Sequence, residues 1–361
     1  MKIALVHDHL AQDGGAERVL KTLKEMFPQA PIFTLIYDKK NTGIFFKDTK
    51  INTSFLQRIP TGISHYQWWL GLMPMAIESL DLMKYDVIIS SASSFAKGVL
   101  TRPDSVHICY CHTPTRYLWL ETHNYIRTLR VNPLIKALLP MTLKRLRLWD
   151  YLSANRVDMF LANSWVVKER IKKYYQRESQ VIYPPVEIDD FFISPHPKKF
   201  FLAGGRLVPY KRLDLVIKAF SRLGVPLKIF GVGPELKYLK KIASDNIEFL
   251  GRVSDKQKKW LYANCIAYLH PQEEDFGITA VEAMASGRPV IAYKAGGATE
   301  TVIEGITGEF FDDQWWEDIA DQIIRFDEKK YNPEKIREHA KKFHRDAFVA
   351  KMSNIINQVK K

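Results

Sequence analysis

The residues best suited to chemistry lie between Glu274 and Gly287, in the run Glu-Asp-Phe-Gly-Ile-Thr-Ala-Val-Glu-Ala-Met-Ala-Ser-Gly. Two carboxylates, Glu274 and Glu282, bracket Phe276-Gly277, and strong helix formers follow. Just upstream, Cys265 to Leu269 is a short apolar run of the kind that forms a buried strand, ending at His270-Pro271. The layout is strand, loop, helix. Gly277 lets the backbone turn tightly and approach a ligand closely. A helix starting near Ile278 and Thr279 aims its unpaired N–H groups and the positive end of its dipole into the loop. A ligand with a diphosphate and several hydroxyls suits such a loop, the amides holding the anion and each carboxylate accepting from vicinal hydroxyls. Two spaced glutamates by themselves describe an ordinary connection with solvated acids equally well.

Other stretches add phosphate-binding groups. Lys199 to Ala203 reads as a strand, and Gly204-Gly205-Arg206-Leu207-Val208-Pro209-Tyr210-Lys211 follows it. Arg206 and Lys211 could both reach a diphosphate at that strand's carboxyl end, although surface Arg and Lys are common. Gly231-Val232-Gly233-Pro234-Glu235 follows the strand Leu227 to Phe230. Near the start, a strand Lys2 to His7, a Gly14-Gly15 turn and a helix Ala16 to Phe27 make a phosphate-binding element of the doubly wound kind, or simply a tight turn. It lacks G-x-G-x-x-G, which disfavours a dehydrogenase. His112 ends the strand that starts at Val106, where open α/β sheets bind ligands. It stands in Cys-His-Thr-Pro-Thr-Arg-Tyr-Leu-Trp, and a capping or core histidine is the plainer alternative. His107, Cys109 and Cys111 alternate along the same strand, a spacing that rarely converges on a tetrahedral ion, so no metal site is expected.

The run from Glu274 to Gly287 resembles the signature of the retaining glycosyltransferases of family 4, which have the GT-B fold. The resemblance implies that Glu274 contacts the donor sugar and Glu282 the donor ribose, with Phe276, Gly277, Ile278 and Thr279 around the donor. It implies that Arg206 and Lys211 carry the donor-phosphate cations, and that Gly231 and Gly233 lie near the base. The Gly14-Gly15 loop would approach the diphosphate from the opposite domain. His112 would sit near the sugar and the reacting centre. Ala295-Gly296-Gly297-Ala298-Thr299-Glu300 resembles the family's Gly-Gly-x-x-Glu loop, or is a plain surface turn. Cys-His-Thr-Pro-x-Arg-Tyr-Leu-Trp resembles a bacterial subgroup of mannosyl- and related transferases that build O-antigen and exopolysaccharide. Asp275 departs from the pattern, since many relatives carry a small residue there.

The expectation is therefore a hexosyltransferase moving mannose from GDP-mannose to a saccharide or lipid-linked saccharide acceptor in cell-surface polysaccharide synthesis. A UDP-hexose donor, a GT-B epimerase or phosphorylase, and a non-catalytic membrane-bound scaffold are the alternatives. No two Asp are separated by one residue anywhere in the chain. Fixed cations and two helix N-termini would replace a metal at the diphosphate, so no cofactor or metal is expected.

The elements that must position these groups alternate. Strand-like runs at Pro31–Tyr37, Tyr85–Ser90, Val106–Tyr110 and Met159–Asn163 follow the first strand, and those at Ile247–Leu250, Cys265–Leu269 and Val290–Tyr293 complete a second series. Alternation of strands with helices implies parallel sheets covered on both faces. The fold class expected is α/β, and the resemblance implies GT-B, with two Rossmann-like doubly wound domains facing across a cleft. The boundaries expected are 1–190 for an acceptor-side domain, 191–340 for a nucleotide-sugar donor domain, and 341–361 for a terminal helix returning to the first domain.

Length and composition agree with two globular domains: 361 residues, 46% apolar and 26% charged. A net charge of +13 implies an acidic partner. Lys and Arg greatly outnumber Asp and Glu from Arg127 to Arg177, interleaved with Leu134, Ile135, Leu138, Leu139, Met141, Leu143 and Leu146. Lys144 to Trp149 reads as a basic patch with an aromatic end, suited to anionic lipid headgroups or to a solvated face. Nucleic acid is not expected, for want of a binding motif. Ile59 to Ile77 lacks charge but carries Pro and Gly, so it does not read as a bilayer helix, although Trp68-Trp69 suits an interface. Three cysteines and an apolar start too short for a signal peptide point to the cytoplasm, with peripheral placement on the membrane's inner face.

Overall fold

The computed structural model of the chain describes residues 1–12, 14–43, 46–47, 49–63, 65–128 and 132–359. It has two compact units, Met1–Tyr183 with Val349–Lys361, and Pro184–Phe348. The first division follows the last strand of the first sheet, which ends at Val181, and falls at Pro184-Pro185, two residues without an N–H to donate to a ladder. The second falls inside the final helix, Arg345–Val359.

The first unit holds strands β1 (Ile3–His7), β2 (Ile32–Thr34), β3 (Ile51–Thr53), β4 (Val87–Ala92), β5 (Val106–Cys111), β6 (Met159–Ala162) and β7 (Ser179–Val181). Their order across the sheet is β3-β2-β1-β4-β5-β6-β7, and every pairing is parallel. The central strands are buried on both faces, which is why β4 reads as one unbroken buried segment rather than an alternation. The helix Gly15–Met26 closes one face with Val19, Leu20 and Leu23. The helix Pro133–Ala154 contributes Leu143 and Leu146 to the core. Edge strands β3 and β7 escape a hydrophobic-run search because Ile-Asn-Thr and Ser-Gln-Val are short and half polar.

The second unit holds β8 (Phe201–Gly204), β9 (Leu227–Phe230), β10 (Ile247–Gly251), β11 (Tyr268–His270), β12 (Val290–Tyr293) and β13 (Gly308–Phe311), in the order β10-β9-β8-β11-β12-β13, again parallel. β11 starts later than its apolar run because Cys265 still closes the preceding helix, its N–H donating to the Leu261 carbonyl at 3.1 Å. In each sheet the strand order reverses once, between β1 and β4 and between β8 and β11. Loops leaving the carboxyl ends at such a point diverge and leave room for a ligand.

Among the described residues no helix is long and apolar enough to cross a membrane. Within Ile59 to Ile77 the described residues form short turns and the helices Tyr66–Leu72 and Met73–Glu78. Its tryptophans part company: Trp69 packs on the core, while Trp68 is 72% exposed.

Candidate functional site

At the β8/β11 reversal, two loops emerge side by side. One runs from Gly204 to Lys211, ending in the turn Pro209–Lys211; the other runs from Pro271 to Gly277. Lys211 is buried and forms an ion pair with Glu274 across them. Gly277 has φ +88° as the residue capping the helix Ile278–Ala285, a conformation that strains any side chain. The first N–H groups of that helix, those of Ile278 and Thr279, have no intrahelical acceptor. Phe276 is buried against Phe343, ring centroids 5.4 Å apart, which fixes the loop just before the helix. Arg206 lies exposed on the first loop.

The loops are held by backbone packing at glycines. A Cβ on Gly231 would fall 1.8 Å from the Gly205 carbonyl oxygen, and one on Gly233 would fall 2.2 Å from that of Leu207. The Gly205 N–H donates to the Phe230 carbonyl at 3.1 Å and the Leu207 N–H to that of Val232 at 3.0 Å. Gly231 and Gly233 therefore carry the Arg206 loop. Gly296 and Gly297 do the same for Glu274: the Gly297 N–H donates to the Glu274 carbonyl at 2.7 Å, and a Cβ on Gly296 would lie 2.3 Å from that oxygen. This loop is not a plain surface turn.

Glu282 is buried on the first turns of the helix Ile278–Ala285. Lys258 Nζ donates to its Oε1 at 2.9 Å and the Tyr262 hydroxyl to its Oε2 at 3.2 Å, both from the helix Asp255–Asn264.

Sequence reasoning passed over His270 as a strand end. It is fully buried, and burial together with the Lys211 charge pushes its pKa down to about 3, so the ring is neutral. The Gln272 amide donates to Nδ1 at 3.1 Å, which leaves the proton on Nε2. Among the described residues Nε2 has no hydrogen-bond partner, and it lies 3.9 Å from Glu274 Oε2. The signal was the one applied to His112, a histidine at a strand's carboxyl end.

The first unit holds the other candidates, His112, Gly14 and Gly15. Gly14 caps the helix Gly15–Met26 with an extended φ of −145°, so no left-handed turn demands glycine there. A Cβ on it would come 2.9 Å from Glu17 Oε2. Asp13 lies outside the described residues. His112 is buried at the end of β5, and burial and the nearby His7 push its pKa down to about 4. Its Nε2 hydrogen-bonds Ser91 Oγ at 2.8 Å, which in turn hydrogen-bonds His7 Nδ1 at 3.1 Å. His7 Nε2 lies 3.8 Å from Glu17 Oε1. Burial pushes the Glu17 carboxyl up, but the hydrogen bond and charge of His7, a backbone N–H and His9 together hold it below its ordinary value. Asp8 accepts from the N–H groups of Ser93, Phe95 and Ala96, tying β1 to the segment after β4.

The segment after His112 is anchored by Asp150. This buried carboxylate pairs with buried Lys97 and accepts from Thr115 Oγ1 at 2.8 Å, Trp119 Nε1 at 2.7 Å and the Tyr175 hydroxyl at 2.9 Å. Cys109 and Cys111 are buried free thiols in the core. His107 on the same strand hydrogen-bonds Ser90 Oγ at 2.8 Å. Among the described residues no group of three or more His, Cys, Asp or Glu could hold a metal ion.

The basic stretch divides. Met141, Leu148 and Leu152 are exposed beside exposed Lys144 and Arg145. Arg147 turns inward, donating to the Leu118 carbonyl at 2.7 Å, and Trp149 Nε1 donates to Glu78 at 2.8 Å. The aromatic end expected of the patch is thus an internal contact. The side chains of Leu134, Ile135 and Leu138 lie outside the described residues.

Residues 13–190 match the family model Glycosyltransferase Family 4, and residues 187–343 match Glycosyl transferases group 1. The chain is similar to the alpha-1,3/1,6-mannosyltransferase ALG2 of Dictyostelium discoideum, 27% identical over 277 residues that cover 62% of this chain and 63% of that protein. It is also similar to a GDP-mannose-dependent alpha-mannosyltransferase of Corynebacterium glutamicum, 36% identical over 109 residues, 30% of this chain and 26% of that one. The chain thus spans less than two thirds of the length of either relative. Among solved structures, Anabaena HepE in complex with UDP has the same fold, with a TM-score of 0.74 at 19% identity over 99% of this chain and 100% of that one.

Proposed function

We propose, for a chain that belongs to the family 4 glycosyltransferases, a retaining transfer of mannose from GDP-mannose to the hydroxyl of a saccharide or lipid-linked saccharide acceptor in cell-surface polysaccharide synthesis. The observation that carries this reading is the meeting of Lys211 with Glu274 at the carboxyl ends of β8 and β11, beside a helix N-terminus. Mannosyltransferases among the relatives support the choice of sugar, and a GDP-mannose-dependent one supports the nucleotide.

The sugar–phosphate bond breaks as negative charge gathers on the leaving diphosphate. Lys211 and Arg206, with the N–H groups of Ile278 and Thr279, stabilise that charge, and they do so more strongly in the transition state than in the ground state. With Lys211 drawn to the diphosphate, Glu274 accepts from the sugar hydroxyls. His270 Nε2–H stands behind Glu274 as a neutral donor that steadies the rotated carboxylate. Glu282, already braced by Lys258 and Tyr262, accepts from the ribose hydroxyls. His112 faces the sugar at the reacting centre. The cations do what a divalent metal would do at the diphosphate, so the transfer needs none.

Purified protein incubated with labelled GDP-mannose, UDP-glucose or UDP-N-acetylglucosamine, with and without chelator, tests the reading. GDP-mannose should be consumed at the same rate in chelator, and NMR of the glycosylated product should give the donor's anomeric configuration. Binding of no donor, or undiminished turnover in Glu282→Ala, would overturn it.

A further inference from the structure

The carboxyl ends of β1, β4 and β5, neighbours in the first sheet, bring His7, Ser91 and His112 into one line, which Glu17 extends from the helix Gly15–Met26. All four are more than nine-tenths buried. His7 and Ser91 are register partners on β1 and β4, so the contact between them follows from the pairing of the strands rather than from a mobile loop.

A serine hydroxyl carries one proton and is placed here between two imidazoles. It can donate to only one of them. If it donates to His7 Nδ1, it must accept from His112 Nε2–H, and the other ring nitrogen of His112 is left bare, an acceptor. If His7 carries a proton on both nitrogens, it donates to Ser91. The hydroxyl then turns to His112 Nε2, and the proton of His112 moves to Nδ1, now a donor. A neutral His112 is required for either arrangement, and burial keeps it neutral down to about pH 4.

We infer that Glu17, His7 and Ser91 are positioning residues that set the tautomer of His112, the charge on His7 deciding whether the free nitrogen of His112 donates or accepts. Glu17 from the helix Gly15–Met26 lies 3.8 Å from His7 Nε2, and across the Ser91 hydroxyl on the ring's other side stands the neutral His112. Glu17 is the carboxylate beside His7 Nε2, and it favours a proton on that nitrogen. The catalytic consequence rests on the reading that His112 faces the reacting sugar; the tautomer coupling does not.

The test is a pH titration of the full chain with 15N-labelled histidine rings, following Nδ1 and Nε2 of His112 by NMR without substrate. The nitrogen shifts of His112 should exchange character at the same midpoint at which His7 titrates. In Ser91→Ala, His112 should no longer follow His7, and Ser91→Thr should restore the coupling. In Glu17→Gln, which removes the anion beside His7 Nε2, the His7 ring should lose its preference for the Nε2–H tautomer, and the nitrogen shifts of His112 should change with it at constant pH. In turnover, Ser91→Ala should lower kcat at least tenfold with donor KM unchanged and remove one limb of the pH profile. A His112 tautomer that ignores His7 in the wild type, or that is unchanged in Ser91→Ala, overturns the inference. Coupling seen by NMR together with full turnover in His112→Ala would uphold it and instead refute the role of His112 at the reacting centre.

Discussion

Gly297 lies against Phe276 so closely that a Cβ on it would fall 2.3 Å from the Phe276 Cα. The backbone of one loop is thereby the floor of the other, and Glu274 sits on the supported side. Gly297→Ala should displace residues 274–276 and cost about 1–3 kcal/mol of stability by overpacking. The donor KM should rise at least tenfold, while the circular dichroism spectrum stays native. Thermal melts and initial rates on the same preparation check both.

Asp150 is the sole carboxylate partner recorded for buried Lys97 among the described residues, and it gathers Thr115, Trp119 and Tyr175 besides. Asp150→Asn leaves an ammonium buried without its counter-charge. Breaking a buried pair from one side costs about 3–5 kcal/mol. Urea unfolding should register a loss of that order. A double variant that also carries Lys97→Met should recover a large part of it.

Stability should depend on pH through the buried histidines. Burial lowers the pKa of His107 from 6.5 to about 4. Between those values the unfolded chain binds a proton that the folded chain refuses, so stability falls as the pH drops from about 6.5 toward 4 and is flat above. One such group is worth on the order of 3 kcal/mol across the window. His112 and His270 act in the same direction. Denaturant midpoints at pH 7.5 and pH 5 should differ accordingly, and the difference should shrink in His107→Gln.

Met141, Leu148 and Leu152 form an exposed apolar line along the helix Pro133–Ala154, beside Lys144 and Arg145. Their spacing of roughly two and one helical turns keeps them on one face. Vesicles rich in phosphatidylglycerol should carry the protein upward in a flotation gradient, whereas phosphatidylcholine vesicles should not. Leu148→Asp should reduce flotation several-fold, and about 0.5 M salt should reduce it further, because surface charge attraction is screened. Flotation unaffected by either change would leave this face without a membrane role.

Most of the fold could be read in the sequence because parallel strands buried on both faces leave continuous apolar runs, as in Val87 to Ala92. β3, β7 and β13 could not, because Asn52, Gln180 and Glu309 interrupt runs too short to stand out. Lys211 and Glu274 were legible as members of one motif set, and their contact follows from the strand order, which no single stretch reveals. The service of Gly231, Gly233, Gly296 and Gly297 as backbone rests was not legible. A glycine needed because another loop lies on its Cα looks, in sequence, the same as one needed for a turn. The line from Glu17 to His112 was hidden for a related reason. It joins side chains from three strands and a helix that only the sheet brings together.

Calorimetric titration of GDP-mannose into wild-type protein and into Lys211→Met asks whether Lys211 holds a sugar-nucleotide diphosphate beside Glu274. Binding should be saturable in the wild type and unaltered by chelator, with at least a tenfold weaker affinity in a Lys211→Met protein whose melting profile remains cooperative. Equal affinity in the two proteins, or binding that appears only with added divalent metal, would contradict that role of Lys211.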